Sequence, residues 1–223
     1  MSGASWFDPI RLSLLVSAAA GAIAFVLAAL AAWRMARASF RGKTVVETAF
    51  LLPLVLPPTV IGFLLLVAFG RRSAIGQAYE WLFQQPIVFT ATAAVIASTV
   101  VAFPLAYQTI KAGFEAVDKD LTDAGRSIGA TEWQLLRFIV APLAARAMIA
   151  GFILGFARAL GEFGATLMFA GSIPGRTQTL PTAIYFAAES GNESWAWAWC
   201  ATIVAISFAM LLFIRAVQRK AVE

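Results

Sequence analysis

The sequence contains no histidine and a single cysteine, Cys200, among its 223 residues. A chain of this composition cannot form an internal disulfide or a metal site built from His and Cys ligands. The common pairs of nucleophile and base that rely on histidine are also excluded, which argues against an intramembrane enzyme or assembly factor. Cys200 stands among tryptophans, so we expect it to serve packing inside a membrane.

Charged residues are scarce as well. Only 13% of the residues are charged and 61% are hydrophobic, and the mean hydropathy is +0.80, whereas a soluble domain is about half apolar and a quarter charged. The sequence therefore predicts an all-α integral membrane protein. Its length accommodates several spans of about 20 residues each but no separate soluble enzyme domain, so any catalyst that supplies energy must be another chain.

Five long apolar runs predict about five transmembrane helices within a single domain that covers residues 1–223. The first run lacks the basic start and the cleavage pattern of a signal peptide, so we expect it to remain in the mature protein. Neither an internal repeat nor an inter-domain linker is visible. The predicted spans are residues 10–33, 46–69, 87–107, 147–170 and 195–214.

The basic residues predict the orientation in the membrane, because Lys and Arg beside apolar runs are retained on the cytoplasmic side. Twelve lie on one side, in the loops 34–44 and 108–146 and at the C-terminus. The N-terminus is therefore predicted to be outside and the C-terminus inside. This placement also accounts for the formal charge of +5, so we infer no nucleic-acid partner. The four basic residues on the outer side are Arg11, Arg71, Arg72 and Arg176.

Prolines interrupt the second span. Pro53, Pro57 and Pro58 cannot donate backbone hydrogen bonds, and Thr59 follows them. In lipid the freed carbonyls need partners, so a broken helix lies against neighbouring helices or a water-filled path. We expect Pro57, Pro58 and Thr59 to line a translocation path, with a kink used only for packing as an equal alternative.

The fourth span contains two opposite charges, Arg158 and Glu162. A spacing of four residues places them on one helical face, where they can pair. Charges within a membrane are costly and face the interior of a bundle, so both are candidates for the translocation path. We slightly favour an ion pair that fixes helix packing over direct contact with the substrate.

A Gly/Pro-rich turn and a possible short helix after Pro181 separate the fourth and fifth spans. Arg176, Thr177, Gln178 and Thr179 could contact an anion through charge-assisted hydrogen bonds, or they could form only a polar turn. We favour the turn, because a transport path must release its anion.

The longest polar interruption runs from Asp123 to Pro142. Its first half combines the charge of Asp123 with the small residues Ala124, Gly125 and Gly129, a composition that lets a helix approach another protein closely. We therefore expect a docking surface in this stretch.

The second half of this interruption restarts as a helix. Thr131 can cap it while Gln134 reaches back to the N–H of the cap, a capping box. Pro142 ends or kinks the helix. The sequence thus predicts a helix, a glycine turn and a short helix, and the apolar contacts are expected from Trp133, Leu135, Leu136, Phe138 and Ile139.

This spacing resembles the coupling-loop motif of ABC importer permeases, in which an acidic and two small residues precede a glycine and then Ile-x-Leu-Pro. Three positions depart from the commonest form, where Asp replaces Glu, Gly replaces the second Ala, and Ala replaces the Leu before proline. The charge sign and the small volume are retained. The matching residues are Asp123, Ala124, Gly125, Gly129, Ile139, Ala141 and Pro142.

The stretch 157–185 looks like the corresponding part of molybdate ABC-transporter permeases, and the similarity extends from about Val45 onward. Sulfate permeases are similar through Arg158 to Gly164 and then diverge. The run from Gly175 to Pro181, Gly-Arg-Thr-Gln-Thr-Leu-Pro, favours the molybdate branch.

The resemblance implies the type I ABC importer permease arrangement and a homodimer in the bacterial inner membrane. Two cytoplasmic ATPase subunits, which would bind ATP and Mg, would sit on the coupling loops, and a periplasmic protein would deliver the oxyanion. This chain would bind no cofactor and would move molybdate, with tungstate as a second candidate, by alternating access.

Two alternatives stay open. One is a sulfate or thiosulfate permease of the same family. The other is a secondary anion transporter that works without ATP, which would carry matching broken segments in two halves of the chain. Only one such segment is visible, around Pro53 to Pro58, and no Gly-x-x-x-x-Gly-Lys-Ser/Thr phosphate loop occurs in the sequence.

Overall fold

The computed structural model describes residues 5–219, with side chains described up to residue 213. The predicted all-α fold is confirmed, since no strand occurs among the described residues. The α-helices of the described residues are α1 (Asp8–Arg37), α2 (Lys43–Val55), α3 (Pro58–Phe69), α4 (Ala74–Phe83), α5 (Ala91–Glu115), α6 (Lys119–Ser127), α7 (Glu132–Leu135), α8 (Ala141–Leu143), α9 (Ala145–Leu160), α10 (Gly164–Ala170), α11 (Leu180–Glu189) and α12 (Glu193–Arg219). A π-helical turn, Leu136–Val140, lies between α7 and α8.

Small residues bring α1 close to its neighbours. Ala20, Ala24, Ala28 and Ala32 recur at every fourth position, lie on one helical face and are fully buried. That face packs along α5 and α9. Because lipid offers no hydrophobic drive between helices, such close contact is what holds membrane helices together.

The helix α5 is the centre of the bundle. It packs against α1 and α9 along its length and also contacts α2, α3 and α10. Glycines make its contact with α9 especially close. A Cβ on Gly113 would overlap the Cβ of Ala147, and a Cβ on Gly151 would lie 2.7 Å from the side chain of Ile110.

The predicted second span, residues 46–69, consists of two helices. α2 and α3 meet at an angle of 113°. The reason is local: a residue that precedes a proline is disfavoured in helical conformation, and Leu56 and Pro57 are both extended. Pro58 then begins α3, where its missing N–H costs nothing.

The predicted fourth span, residues 147–170, is also divided. α9 ends at Leu160, residues 161–163 are not helical, and α10 begins at Gly164. At its other end α9 is bent by 81° from the stretch Glu132–Leu143. Over the described residues, three helices are long and apolar enough to cross a membrane, or up to five if each bent pair is one span.

The remaining elements lie between these helices. The fifth run is α12, and the short helix expected after Pro181 is α11, with that proline in its first turn. The short α4 belongs to no predicted span. Of the basic residues used to orient the C-terminus, Lys220 lies outside the described residues, and the side chains of Arg215 and Arg219 are also outside them.

The close contact between α5 and α9 predicts whether a Gly→Ala substitution raises or lowers the stability of the protein. Gly→Ala within a helix ordinarily stabilises by about 0.5–1 kcal/mol. We expect Gly113→Ala to lower stability instead, because the added methyl overlaps Ala147 and overpacking costs about 1–3 kcal/mol. The measurement is the thermal unfolding midpoint of the purified protein in detergent.

Gly155→Ala on α9 is the matched control. A Cβ there would meet the Cβ of Ala106 at 3.4 Å and the carbonyl oxygen of Ala102 at 3.9 Å, both ordinary contacts, so this variant should be at least as stable as the wild type. Equal midpoints for the two variants would contradict the close approach at Gly113.

Candidate functional site

The polar interruption folds into a defined unit, which we call the coupling segment (residues 118–143). Asp118 caps α6 by accepting a hydrogen bond from the N–H of Asp120 at 2.9 Å. Gly129, with φ of 86°, then reverses the chain in a conformation that favours glycine. Thr131 and Gln134 form the predicted capping box at the start of α7.

Gly125 joins the two helices of the coupling segment. A Cβ at this position would lie 2.5 Å from Leu135 and 3.3 Å from Ile139, and Leu135 is fully buried. The small residue thus serves a contact within the chain, between α6 and α7. Of the small residues expected to face another protein, Ala124 and Gly129 are exposed.

Arg126 fastens the same two helices electrostatically. Its guanidinium donates to Glu132 Oε1 at 2.8 Å and to Asp123 Oδ1 at 2.7 Å. The hydrogen bond to Glu132, and to a lesser extent the one to Asp123, raises the pKa of Arg126 above its ordinary value. Asp123 is exposed but already paired, so the charges of Asp123, Arg126 and Glu132 satisfy one another.

The coupling segment also exposes large apolar side chains. Ile128 is 88% exposed, Phe138 is 67% exposed and Trp133 is 62% exposed. Ile128 and Phe138 also line a cleft of about 350 Å³ between α6 and the π-helical turn. Ile128 was not predicted as part of this surface, although a large apolar residue alone inside a polar run is a signal for it in the sequence.

The end of the coupling segment leads directly into the bundle. Ile139 lies half-buried in the π-helical turn, while Ala141 and Pro142 form α8 with Leu143. Pro142 occupies the first turn of α8, where a proline is tolerated. The bend at Ala144 then joins the segment to α9, so the two are connected without a flexible loop.

The predicted pair of charges forms inside the bundle. Arg158 Nη1 lies 2.8 Å from Glu162 Oε2, and the side chain of Glu162 is only 1% exposed. The other carboxylate oxygen, Oε1, accepts a hydrogen bond from the N–H of Ala165 at 2.8 Å. Glu162 thus connects the end of α9 to the first turn of α10, where a negative charge is favoured.

The proline bend of the second span lies beside α10. A Cβ on Gly164 would lie 2.9 Å from Pro58 Cβ and 3.5 Å from the backbone nitrogen of Thr59. Pro57, Pro58 and Thr59 themselves are exposed on this chain. The structure therefore brings the start of α3 next to the element that Glu162 holds.

The outer-loop candidates separate into two groups. Thr177 is buried and accepts a hydrogen bond from the N–H of Ile173 at 2.9 Å, and Thr179 is buried beside Thr182. Gln178 is half-buried, and Arg176 is exposed. The two threonines are occupied within the turn, which leaves the arginine free to meet other groups.

One polar cluster was not predicted. Lys111 Nζ of α5 lies 2.8 Å from Glu47 Oε1 of α2 and 3.4 Å from Glu115 Oε1. Tyr107 also donates to Glu47, at 3.4 Å. The cluster ties α2 to the centre of the bundle. Glu47, a lone acid at the start of an apolar run, was the signal in the sequence.

Metal ligands are not gathered in the part of the chain that the structure describes. Across residues 5–219, no group of three or more Asp, Glu, Cys or His residues could hold an ion. Cys200 is a free thiol, half-buried in α12.

Two kinds of comparison identify relatives of this sequence. A family model described as "Binding-protein-dependent transport system inner membrane component" matches residues 15–222. YvgM of Bacillus subtilis (strain 168), named as a molybdenum transport system permease protein, is 58% identical over 215 residues, covering 96% of this chain and 95% of YvgM. ModB of Escherichia coli (strain K12), also named as a molybdenum transport system permease protein, is 41% identical over 207 residues, covering 92% and 89%.

A solved structure shows the same fold. The crystal structure of a bacterial ABC transporter involved in the import of alginate aligns with a TM-score of 0.76 at 14% identity, covering 99% of this chain and 82% of that one. The resemblance to ABC importer permeases is thereby confirmed. This chain belongs to the family of binding-protein-dependent transport system inner membrane components.

Proposed function

We propose that this chain is the permease subunit of an importer that carries molybdate, with tungstate as a second candidate, across the bacterial inner membrane. The observation that carries the proposal is the 58% identity to a molybdenum permease over nearly the whole of both chains. The apolar helical bundle is consistent with this role. Energy would come from a partner ATPase that binds ATP and Mg, and this chain would bind no cofactor.

The ATPase is proposed to dock on the coupling segment. The ion pair of Arg126 with Glu132 and the contact of Gly125 with Leu135 hold α6 and α7 together, and the capping box orders the start of α7. The apolar side chains Ile128, Trp133 and Phe138 therefore stand on a preformed surface. Exposed aromatic and aliphatic residues around a cleft are typical anchors of a protein interface. Two copies of this chain in a homodimer would present one such surface to each of two ATPase subunits.

Motion of the ATPase would reach the bundle through α9. The coupling segment continues through the π-helical turn and α8 into this helix, which packs closely on α5 and α1. A displacement of the segment therefore moves a packed element, and packed elements shift between discrete arrangements. This connection supports alternating access, in which the cavity of the dimer opens to one side at a time.

The bend between α2 and α3 is the proposed wall of the translocation path. Pro57, Pro58 and Thr59 are exposed on this chain, and exposed backbone at a helix break is tolerated in a membrane only where it meets protein or water. A second copy of the chain, or the path between the two copies, satisfies that requirement.

Arg158 and Glu162 are proposed to position this wall. Both oxygens of Glu162 are occupied, by Arg158 and by the N–H of Ala165, so the carboxylate has little capacity left for a passing ion. It would also repel an oxyanion. The pair therefore fixes α10 against the start of α3.

At the outer end, a periplasmic oxyanion-binding protein is the proposed source of the substrate. The family is named for dependence on such a protein. Thr177, Gln178 and Thr179 are proposed to shape the turn between α10 and α11, since the two threonines bond within it.

The transport proposal is tested by uptake of labelled molybdate into proteoliposomes that contain this chain, its partner ATPase and its binding protein. We expect uptake that requires internal ATP and both partners and that resists excess sulfate. Flux through this chain alone without ATP would overturn the importer assignment, and efficient competition by sulfate would indicate the sulfate branch.

The docking proposal predicts that Ile128→Asp weakens association with the ATPase by about tenfold or more, as expected for a charge introduced at an interface anchor. Because Ile128 is exposed, the variant should fold normally. Co-purification of the ATPase from detergent and the ATPase activity of the complex are the measurements. Ser39→Asp, an exposed position outside the segment, is the charge-matched control, and equal co-purification with both variants would refute the docking surface.

The positioning proposal predicts that Glu162→Gln destabilises the protein by about 1–3 kcal/mol, because a partly exposed Arg158 loses the charged partner that is buried beside it. Removing both charges in Arg158→Gln/Glu162→Gln should recover most of the thermal stability. If the pair acts only through packing, molybdate uptake should recover with it. A stable double variant that fails to transport would instead assign the pair to the path.

A further inference from the structure

A cavity lies at the end of the bundle where α5 begins. It has a volume of about 970 Å³ and lies between the end of α3, the stretch 85–90 and the turn that contains Arg176. α5 starts one residue after Thr90 at this cavity and ends at Glu115, near the coupling segment. A helix of 25 residues is about 37 Å long, so the cavity and the coupling segment lie at opposite ends.

Three arginines line this cavity, namely Arg71, Arg72 and Arg176. They are three of the four basic residues that the sequence places on the outer side. Basic residues on that side oppose the distribution that orients a membrane protein. Their convergence on one concave surface, from two distant parts of the chain, therefore calls for a role other than orientation.

Most of this positive charge is not neutralised. Arg71 lies 3.4 Å from Glu80, while neither Arg72 nor Arg176 forms an ion pair with any side chain that the structure describes. One acid lies close to the turn at Arg176, since Oδ2 of Asp8 is 3.8 Å from the place of a Cβ on Gly175. Two guanidinium groups thus remain available inside the cavity.

The two hydroxyl groups in the lining, those of Ser73 and Thr90, already accept hydrogen bonds. Ser73 accepts a hydrogen bond from the N–H of Gly76 at 2.9 Å, and Thr90 accepts one from the N–H of Ala93 at 3.2 Å. Both cap the helices that follow them. The amide of Gln85 also lines the cavity, so it and the arginines are the groups left to recognise a ligand. Because only the arginines are charged, we expect that ligand to be an anion.

The wall of the cavity is fixed to α10. Phe89 has φ of 63°, a conformation that bulky residues rarely adopt. Its N–H donates to the carbonyl of Phe169 in α10 at 3.1 Å. The cavity is thus attached to the same short helix whose first turn is held by Glu162 next to the proline bend.

We propose that Arg71, Arg72 and Arg176 form a receiving site for a tetrahedral oxyanion dianion, occupied between its release from the binding protein and its entry into the path. This inference rests on the proposed function and names a site for it. Guanidinium groups match the geometry of such anions through paired hydrogen bonds. Exposure of the arginines to water weakens the attraction, so the site captures the anion and still releases it.

An acidic surface of the binding protein is the competing occupant. The three arginines line a concave cavity with apolar walls rather than a flat surface, and a field of one sign inside such a cleft concentrates small ions of the opposite sign. The geometry therefore favours the anion itself. Measuring the binding of molybdate and the binding of the substrate-free binding protein separately distinguishes the two occupants.

The first experiment measures binding without transport. The permease and ATPase complex is placed in nanodiscs of neutral lipid, and binding of labelled molybdate is measured by equilibrium dialysis in the absence of the binding protein. We expect the wild type to bind and Arg72→Gln/Arg176→Gln to bind about tenfold more weakly, the loss typical of removing charged partners. Arg11→Gln, which removes an exposed outer charge that does not line the cavity, should bind as the wild type does.

The second experiment measures uptake with limiting binding protein at low and high salt. The double variant should transport about tenfold more slowly at low salt, and the difference should shrink at high salt because exposed charges are screened. Arg11→Gln should follow the wild type at both salt concentrations.

The outcomes distinguish the two proposals. Absent molybdate binding by the wild type, or equal binding by the double variant, overturns the receiving site even if transport of molybdate is intact. Weaker affinity of the double variant for the substrate-free binding protein, with molybdate binding unchanged, overturns it in favour of protein docking. Arginine-dependent binding in a wild type that transports no molybdate supports the site and refutes the transport proposal.

Discussion

Close contact between small residues is the constraint on which this structure depends. In lipid, apolar side chains gain nothing by leaving one apolar surrounding for another, so helices associate through packing and polar contacts. Alanines on α1 and glycines at the interface of α5 with α9 provide that packing. Longer apolar side chains on the opposite face of α1, among them Leu15, Val26 and Leu30, are exposed, where lipid or a second copy of the chain can cover them. The bundle is therefore rigid at its centre and apolar at its surface.

The coupling segment is stabilised in a different way. Its helices are too short to be stable alone, and they are held by a capping box, by the contact of Gly125 with Leu135 and by the ion pairs of Arg126. Because these polar groups satisfy one another, apolar side chains can be exposed without loss of order. A surface prepared in this way loses little conformational freedom when a partner binds.

Features that depend on residues three or four apart could be predicted from the sequence. The capping box of Thr131 and Gln134 is of this kind, because helical spacing brings its members together. The pair of Arg158 with Glu162 was predicted from the same spacing, and it forms because backbone hydrogen bonds continue the turn past the end of α9 as far as Glu162. The prolines likewise predicted an interrupted second span. The family resemblance added the type of protein, which local spacing could not supply.

Features that depend on distant parts of the chain could not be predicted. Gly125 faces inward only because α7 folds back on α6, so its spacing alone suggested a free surface. The break at residues 161–163 contains no proline, and Gly164 directly after it packs against Pro58 and Thr59 at the start of α3. The convergence of Arg71 and Arg72 with Arg176 joins residues about 100 positions apart in the sequence. Each depends on tertiary contacts that periodicity does not contain.

The π-helical turn Leu136–Val140 determines how α7 is rotated about the helix axis relative to α8. A π turn accommodates one extra residue in a helical stretch, and one residue corresponds to about 100° of rotation about a helix axis. The turn therefore determines which direction the exposed side chains of α7 face relative to α8 and the entry into α9. If the ATPase docks on the coupling segment as proposed, a push on one face of the segment would therefore reach the bundle as a displacement along another direction.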